Sequence, residues 1–112
     1  MPHIRVRNLS EDQMKELSDV LITRLAQAIQ TGEDNFTFEK ISSHFFERGE
    51  KVSSYPFVEV LWFARTREIQ DETAKILTDI VKLVSGAADV IVVFVQLEKS
   101  AYYENGKSFQ ND

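Results

Sequence analysis

Polar and apolar residues alternate over the first segment of the chain. Ile4 and Val6 fall on one side of an extended stretch running from Pro2, and His3, Arg5 and Arg7 fall on the other, which predicts a half-buried strand. Ser10-Glu11-Asp12-Gln13 then reads as a capping box, in which two side chains and two backbone N–H groups satisfy one another at a helix start. Met14, Leu17, Leu21, Leu25 and Ala28 follow at helical spacing, Val20 and Ile29 widen the stripe, and Gly32 is the expected left-handed stop. Residues 36–47 return to an extended pattern whose apolar phase shifts after Phe38, predicting a bulge near Glu39-Lys40. Residues 48–56 are polar, contain Gly49, Ser53 and Ser54, and predict a loop.

The second half repeats the plan. Residues 57–64 are apolar on both faces except at Glu59, and Thr66 is placed to cap a helix. Ile69, Thr73, Ile76, Ile80 and Leu83 share one stripe of that helix beside Leu77, Val81 and Val84, and Ser85-Gly86 ends it. Residues 90–97 form the most apolar strand, followed by a tail with an Asn105-Gly106 turn. The order is β-α-β-β-α-β, two β-α-β units in a single domain spanning residues 1–112. Right-handed crossovers place both helices on one face of a four-stranded mixed sheet, an α+β fold. Yet the last two strands are apolar on both faces. The face left uncovered would expose a continuous apolar patch, which a monomer rarely tolerates, so self-association is expected.

Composition narrows the partners. A net charge of −5 is the wrong sign for tracking a phosphate backbone, so nucleic acid is set aside. No stretch is long and apolar enough to cross a bilayer. The absence of cysteine excludes disulfides and thiolate metal sites and fits a cytoplasmic location. His3 and His44 lack partners at ligand spacing, so neither a metal nor a cofactor is expected.

The candidate chemistry begins at Pro2. Loss of Met1 would leave a rigid secondary amine at a strand end, a base at neutral pH once desolvation or nearby cations depress its basicity; the alternative is that proline merely starts the strand. Arg65 and Arg67 flank the cap at Thr66, where cations oppose the helix dipole. With the free N–H groups of the helix start they form a carboxylate or phosphate site, or else they splay into solvent or pair with Glu68 and Asp71. Glu59 is costly unpaired, so it pairs with Arg5 or Arg7 across the sheet or else takes part in a site. Tyr102 and Tyr103 line a pocket or pin the tail, and Lys40 is a further anion contact.

Met1-Pro2, the capped helix ending at Thr31-Gly32, Ser53-Ser54-Tyr55-Pro56 before an apolar strand, and the tail Asn105-Gly106-Lys107-Ser108-Phe109 together resemble the macrophage migration inhibitory factor branch of the tautomerase superfamily. The opening Pro-His-Ile-Arg-Val-Arg also resembles the 4-oxalocrotonate tautomerase group, and the whole is similar to an uncharacterised bacterial branch of that superfamily. The resemblance covers nearly the whole chain. It implies a homotrimer with inward-facing sheets, Pro2 as the catalytic base of keto–enol interconversion, and Arg65, Thr66 and Arg67 beside it to hold the carboxylate of a small 2-oxo acid. The sequence also departs from those families. Glu33 stands where a basic pocket residue is expected, Asn8-Leu9 where an arginine is, and Ile91 and Val93 where polar pocket residues are. A non-catalytic trimeric binding module is the alternative reading. A ferredoxin-like domain shares the element order but accounts for neither Met1-Pro2 nor the tail.

Overall fold

The computed structural model describes residues 2–110; Met1, whose removal would expose the Pro2 amine, lies outside the described residues, as do residues 111–112. The elements are β1 (His3–Arg7), α1 (Glu11–Ile29), β2 (Thr37–Ile41), β3 (Phe45–Glu47), β4 (Glu50–Val52), β5 (Phe57–Phe63), α2 (Arg67–Ser85), β6 (Ile91–Leu97), β7 (Tyr103–Glu104) and β8 (Lys107–Ser108). Four strands form the central sheet in the order β2-β1-β5-β6. The β1–β2 and β5–β6 pairs are parallel, and the central β1–β5 pair is antiparallel. The two β-α-β units thus meet back to back, and both helices cover the same face.

Alternation decides what each face becomes. Ile4 and Val6 of β1 and Val58, Val60 and Trp62 of β5 are fully buried beneath Leu17, Leu21 and Leu25 of α1 and Leu77 and Val81 of α2. Trp62 is the largest of these, with its ring 4.7 Å from that of Phe94. The helices start as the sequence predicts. Ser10 accepts from the Gln13 N–H while the Gln13 side chain accepts from the Ser10 N–H, and the Thr66 hydroxyl accepts from the Ile69 N–H at 3.2 Å. Gly86, at φ 72°, stops α2 in the left-handed region that glycine enters without steric cost.

Three expectations are corrected. The left-handed residue that ends α1 is Gln30 (φ 61°), with its N–H returning to the Ala26 carbonyl; Gly32 is extended and opens a short 3-10 turn at Glu33–Asn35. No bulge interrupts β2, which pairs with β1 in unbroken register from His3–Thr37 to Arg7–Ile41. The apolar phase shift instead marks the end of β2 and the start of a separate hairpin, β3–β4. Its turn is Arg48-Gly49, both at positive φ, the twist that a two-residue hairpin loop requires. Leu83, placed on the buried stripe of α2 by its spacing, is 81% exposed; the stripe that packs on the core runs through Leu77, Val81 and Val84 and leaves Leu83 beyond its edge.

Candidate active site

The strand registers bring several chain segments to one end of the sheet. His3 lies opposite Thr37 on one side and Leu61 on the other, and Phe63 lies opposite Leu97. The start of β1, the start of β2, the ends of β5 and β6 and the first turn of α2 therefore converge there. Pro2 is fully buried at this end, and its carbonyl accepts the Thr37 N–H at 3.2 Å. The tail folds back over the same region. Tyr102 and Phe109 pack on Phe63, with ring centroids 5.2 and 5.6 Å away, and the Phe109 N–H donates to the Tyr102 carbonyl. The Asn105-Gly106 turn joins β7 to β8, so the closing motif secures this aromatic clamp.

A cleft of about 330 Å³ opens at this end, lined by His3, Thr37, Leu61, Leu97 and Tyr102. Its walls are apolar except for the imidazole, the threonine hydroxyl and the phenol. A larger hollow of about 460 Å³ lies at the other end of the sheet between Ser53–Tyr55 and Ala87–Asp89, and its only ionisable lining groups are Glu47, Tyr55 and Asp89. A third concavity between the helices, beside Arg24 and Glu72, is remote from Pro2.

The candidate residues divide on inspection. Arg65 is half-buried, and its guanidinium donates to the Phe63 carbonyl at 3.2 Å, two residues back. Arg67 is largely exposed and pairs with Asp71 one helical turn on, at 3.0 Å. The Thr66 hydroxyl is occupied as a cap. These three residues stand at the Pro2 end of the sheet but outside the lining of the cleft. Tyr103 is 63% exposed on β7, and it is Tyr102 that borders the cleft. Lys40 is exposed, three residues along β2 from Thr37, and reaches only the Ser42 hydroxyl at 3.4 Å. Glu33, the departure from the expected basic residue, lies in the turn after α1 and accepts from Thr23. Glu59 pairs with Arg7 across the sheet, as one sequence alternative requires.

The polar set inside the cleft was not legible as a set. His3 Nδ1 lies 2.5 Å from the Thr37 hydroxyl and His3 Nε2 lies 2.8 Å from a Glu39 carboxylate oxygen. Arg5 Nε stands 3.4 Å from the same oxygen, near enough for an ion pair but too poorly aligned for a hydrogen bond. The parity of Thr37 and Glu39 against Phe36 and Phe38 put both on one strand face. Nothing local showed that this face would lie beside His3, more than thirty residues away.

The open face of the sheet divides in two. On β1 and β2 it carries His3, Arg5, Arg7, Thr37 and Glu39; on β5 and β6 it carries Phe57, Leu61, Ile91, Val93, Val95 and Leu97. Ile91, Val93 and Val95 are each more than a third exposed. The unpartnered apolar surface foreseen from the sequence is therefore real, and it adjoins the cleft.

A family model described as a domain of unknown function, DUF1904, matches residues 1–108. A DUF1904 protein from Sebaldella termitidis is 34% identical, with a TM-score of 0.90 over 96% of this chain and 99% of that one. A protein of unknown function from Vibrio cholerae is 36% identical, with a TM-score of 0.85 over 96% and 86%. At 14% identity, a fused 4-OT crystallised as an asymmetric trimer shares the fold, with a TM-score of 0.83 over 96% and 95% of the two chains. No functionally curated protein matches significantly. The helix-covered sheet of two β-α-β units is the fold of the tautomerase and macrophage migration inhibitory factor-like structures, and the family match over residues 1–108, with two relatives above 30% identity, makes the chain a member of the DUF1904 family.

Proposed function

We propose that the protein is a proline-based tautomerase of small 2-oxo acids, with Pro2 as the general base once Met1 is removed. The observation that carries this reading is the position of Pro2. It is buried at the strand end where an apolar cleft opens, on a fold shared with tautomerases. Burial disfavours the charged form of an amine and so favours the neutral form that accepts a proton. The base takes a proton from the carbon beside a carbonyl and returns it, interconverting keto and enol forms, and an apolar cleft strengthens every electrostatic contact within it.

Self-association belongs to the same proposal. A homotrimer with sheets facing inward would cover the apolar half of the open face and wall off the cleft with a neighbouring protomer. The trimeric assembly of the fused 4-OT supports this. Arg65 and Arg67 are assigned to the carboxylate of the substrate, with Thr66 ordering the loop between them. One observation favours the alternative of a non-catalytic trimeric module: Arg67 is already paired with Asp71, and Arg65 with the Phe63 carbonyl.

Phenylpyruvate keto–enol exchange distinguishes the two. Wild type whose intact mass shows loss of Met1 should exceed Pro2→Ala by about 100-fold or more, the usual contribution of a positioned general base. Equal rates in the two proteins would exclude the proline mechanism and leave the binding module.

A further inference from the structure

Thr37, His3 and Glu39 are joined in one line by two hydrogen bonds: hydroxyl to imidazole, imidazole to carboxylate. In the neutral state consistent with this geometry, His3 Nε2–H donates to Glu39 and Nδ1 accepts from the Thr37 hydroxyl. In the protonated state both ring nitrogens donate, and Thr37 turns from donor to acceptor. Both states are fully hydrogen-bonded. The difference lies at the hydroxyl, whose hydrogen is held by His3 in the first state and free to point into the cleft in the second. The charged and titratable groups around the ring are Glu39, with Arg5 behind it, and the Tyr102 phenol at the cleft edge; Leu61 faces it from β5. Glu59, on the same face of β5, is taken by Arg7.

We propose that these three residues form a proton relay serving an oxygen atom of a ligand in the cleft. The ligand class is a small molecule with an apolar body and one weakly acidic hydroxyl, an enol or a phenol, or its conjugate oxyanion. The apolar body contacts Leu61 and Leu97, and the oxygen meets the Thr37 hydroxyl. The ligand O–H gives its proton to Thr37 Oγ1 as Thr37 gives its own to His3 Nδ1. The ligand is left an oxyanion, and His3 is left an imidazolium held against Glu39. The reverse transfer protonates an oxyanion, and only O–H and N–H bonds form or break. Thr37 touches the ligand, whereas His3 and Glu39 act through it. The arrangement meets the geometric requirements for acid–base work: a hydroxyl bonded to a base, a base bonded to an orienting carboxylate, and room for a reacting atom beside the hydroxyl.

The inference deepens the proposed function, because the enol oxygen needs a proton partner just as the carbon does, and it rests on that reading only for the natural substrate. The relay itself is tested without turnover. The absorbance of 4-nitrophenol reports whether its oxygen is protonated, and its ring is small enough for the cleft. Wild type should bind it, with a bound spectrum whose ionisation midpoint differs from that of the free phenol. Thr37→Val and His3→Gln should each weaken binding by about tenfold, the weight of one strong hydrogen bond, and should abolish the displaced midpoint. Thr37→Ser should restore both. Circular dichroism and sedimentation establish that each variant keeps its fold and assembly, and Glu39→Gln, at an exposed position, supplies a second break in the line should His3→Gln fail to fold. Absence of binding to wild type at millimolar phenol, or equal binding by wild type and Thr37→Val, would overturn the relay. Thr37-dependent release of the phenol from 4-nitrophenyl acetate would also overturn it, by making the hydroxyl a nucleophile. A displaced midpoint in wild type that is lost in Thr37→Val, with phenylpyruvate exchange equal in wild type and Pro2→Ala, would remove the tautomerase reading and leave the relay standing.

Discussion

The two halves of the open sheet face are made of the same kind of strand pair, parallel and side by side, yet they have opposite characters. On β1–β2 the exposed parity is taken by charged and hydrogen-bonding groups, and they satisfy one another: His3 with Thr37 and Glu39, Arg5 near Glu39. On β5–β6 the same parity carries Ile91, Val93 and Val95, each more than a third exposed. The Arg7–Glu59 pair is the seam between the halves, its side chains 27% and 21% exposed, with the Arg7 guanidinium also over the Phe57 ring. A protein that needed only solubility would make both halves polar, and one that needed only adhesion would make both apolar. The division sets an exposed apolar surface directly beside a hydrogen-bonded polar set, with the cleft where the two meet.

The most severe break in this comparison is a charge on the apolar half. Val93→Glu should dissociate the assembly or weaken it by on the order of 100-fold, since a carboxylate without a partner cannot be carried into an apolar interface. Sedimentation velocity of wild type and variant across a concentration series measures this. An unchanged oligomer would mean that the apolar half faces something other than another copy. A smaller effect is expected at the seam. Glu59→Ala leaves Arg7 half-buried without its partner and should cost about 1–2 kcal/mol, reduced from the fully buried case by the remaining exposure. Urea denaturation gives the value, and Glu59→Gln, which keeps one acceptor, should lose less. The smallest effect is expected within the polar half. Glu39→Gln, at a side chain 48% exposed, should change stability by no more than about 0.5 kcal/mol, and high salt should erase the difference. A cost at Glu39 comparable to that at Glu59 would show that the polar half is also buried in the assembly.

Much of the fold was legible because its signals are local. The capping box at Ser10, the Thr66 cap, the Gly86 stop and the two-residue period of β1 each act within four residues, and each stands where the sequence put it. The misread features depended on something outside their own segment. Leu83 obeys the helical period from Ile76 and Ile80, but the core packs against the neighbouring line through Leu77, Val81 and Val84. The phase shift after Phe38 is the same in sequence whether it marks a bulge or a chain leaving the sheet, and only the unbroken pairing of β2 with β1 distinguishes them. Gln30 took the left-handed position two residues ahead of the glycine that seemed made for it, because its N–H could close on the Ala26 carbonyl.

The candidate site divides in the same way. Pro2, the helix start beside Arg65 and Arg67, and the aromatic tail could each be named from short motifs. The partners of His3 could not, because a hydrogen bond between residues more than thirty positions apart depends on which strands neighbour each other and in what register. Period and capping belong to the chain. They settled that there would be two β-α-β units, two helices on one face and an apolar surface left uncovered. Register belongs to the packed sheet, where a shift of one residue exchanges its faces. It alone decided that His3 would stand between Thr37 and Leu61, and so that a cleft with an imidazole in its wall would open at the end of the sheet that holds Pro2.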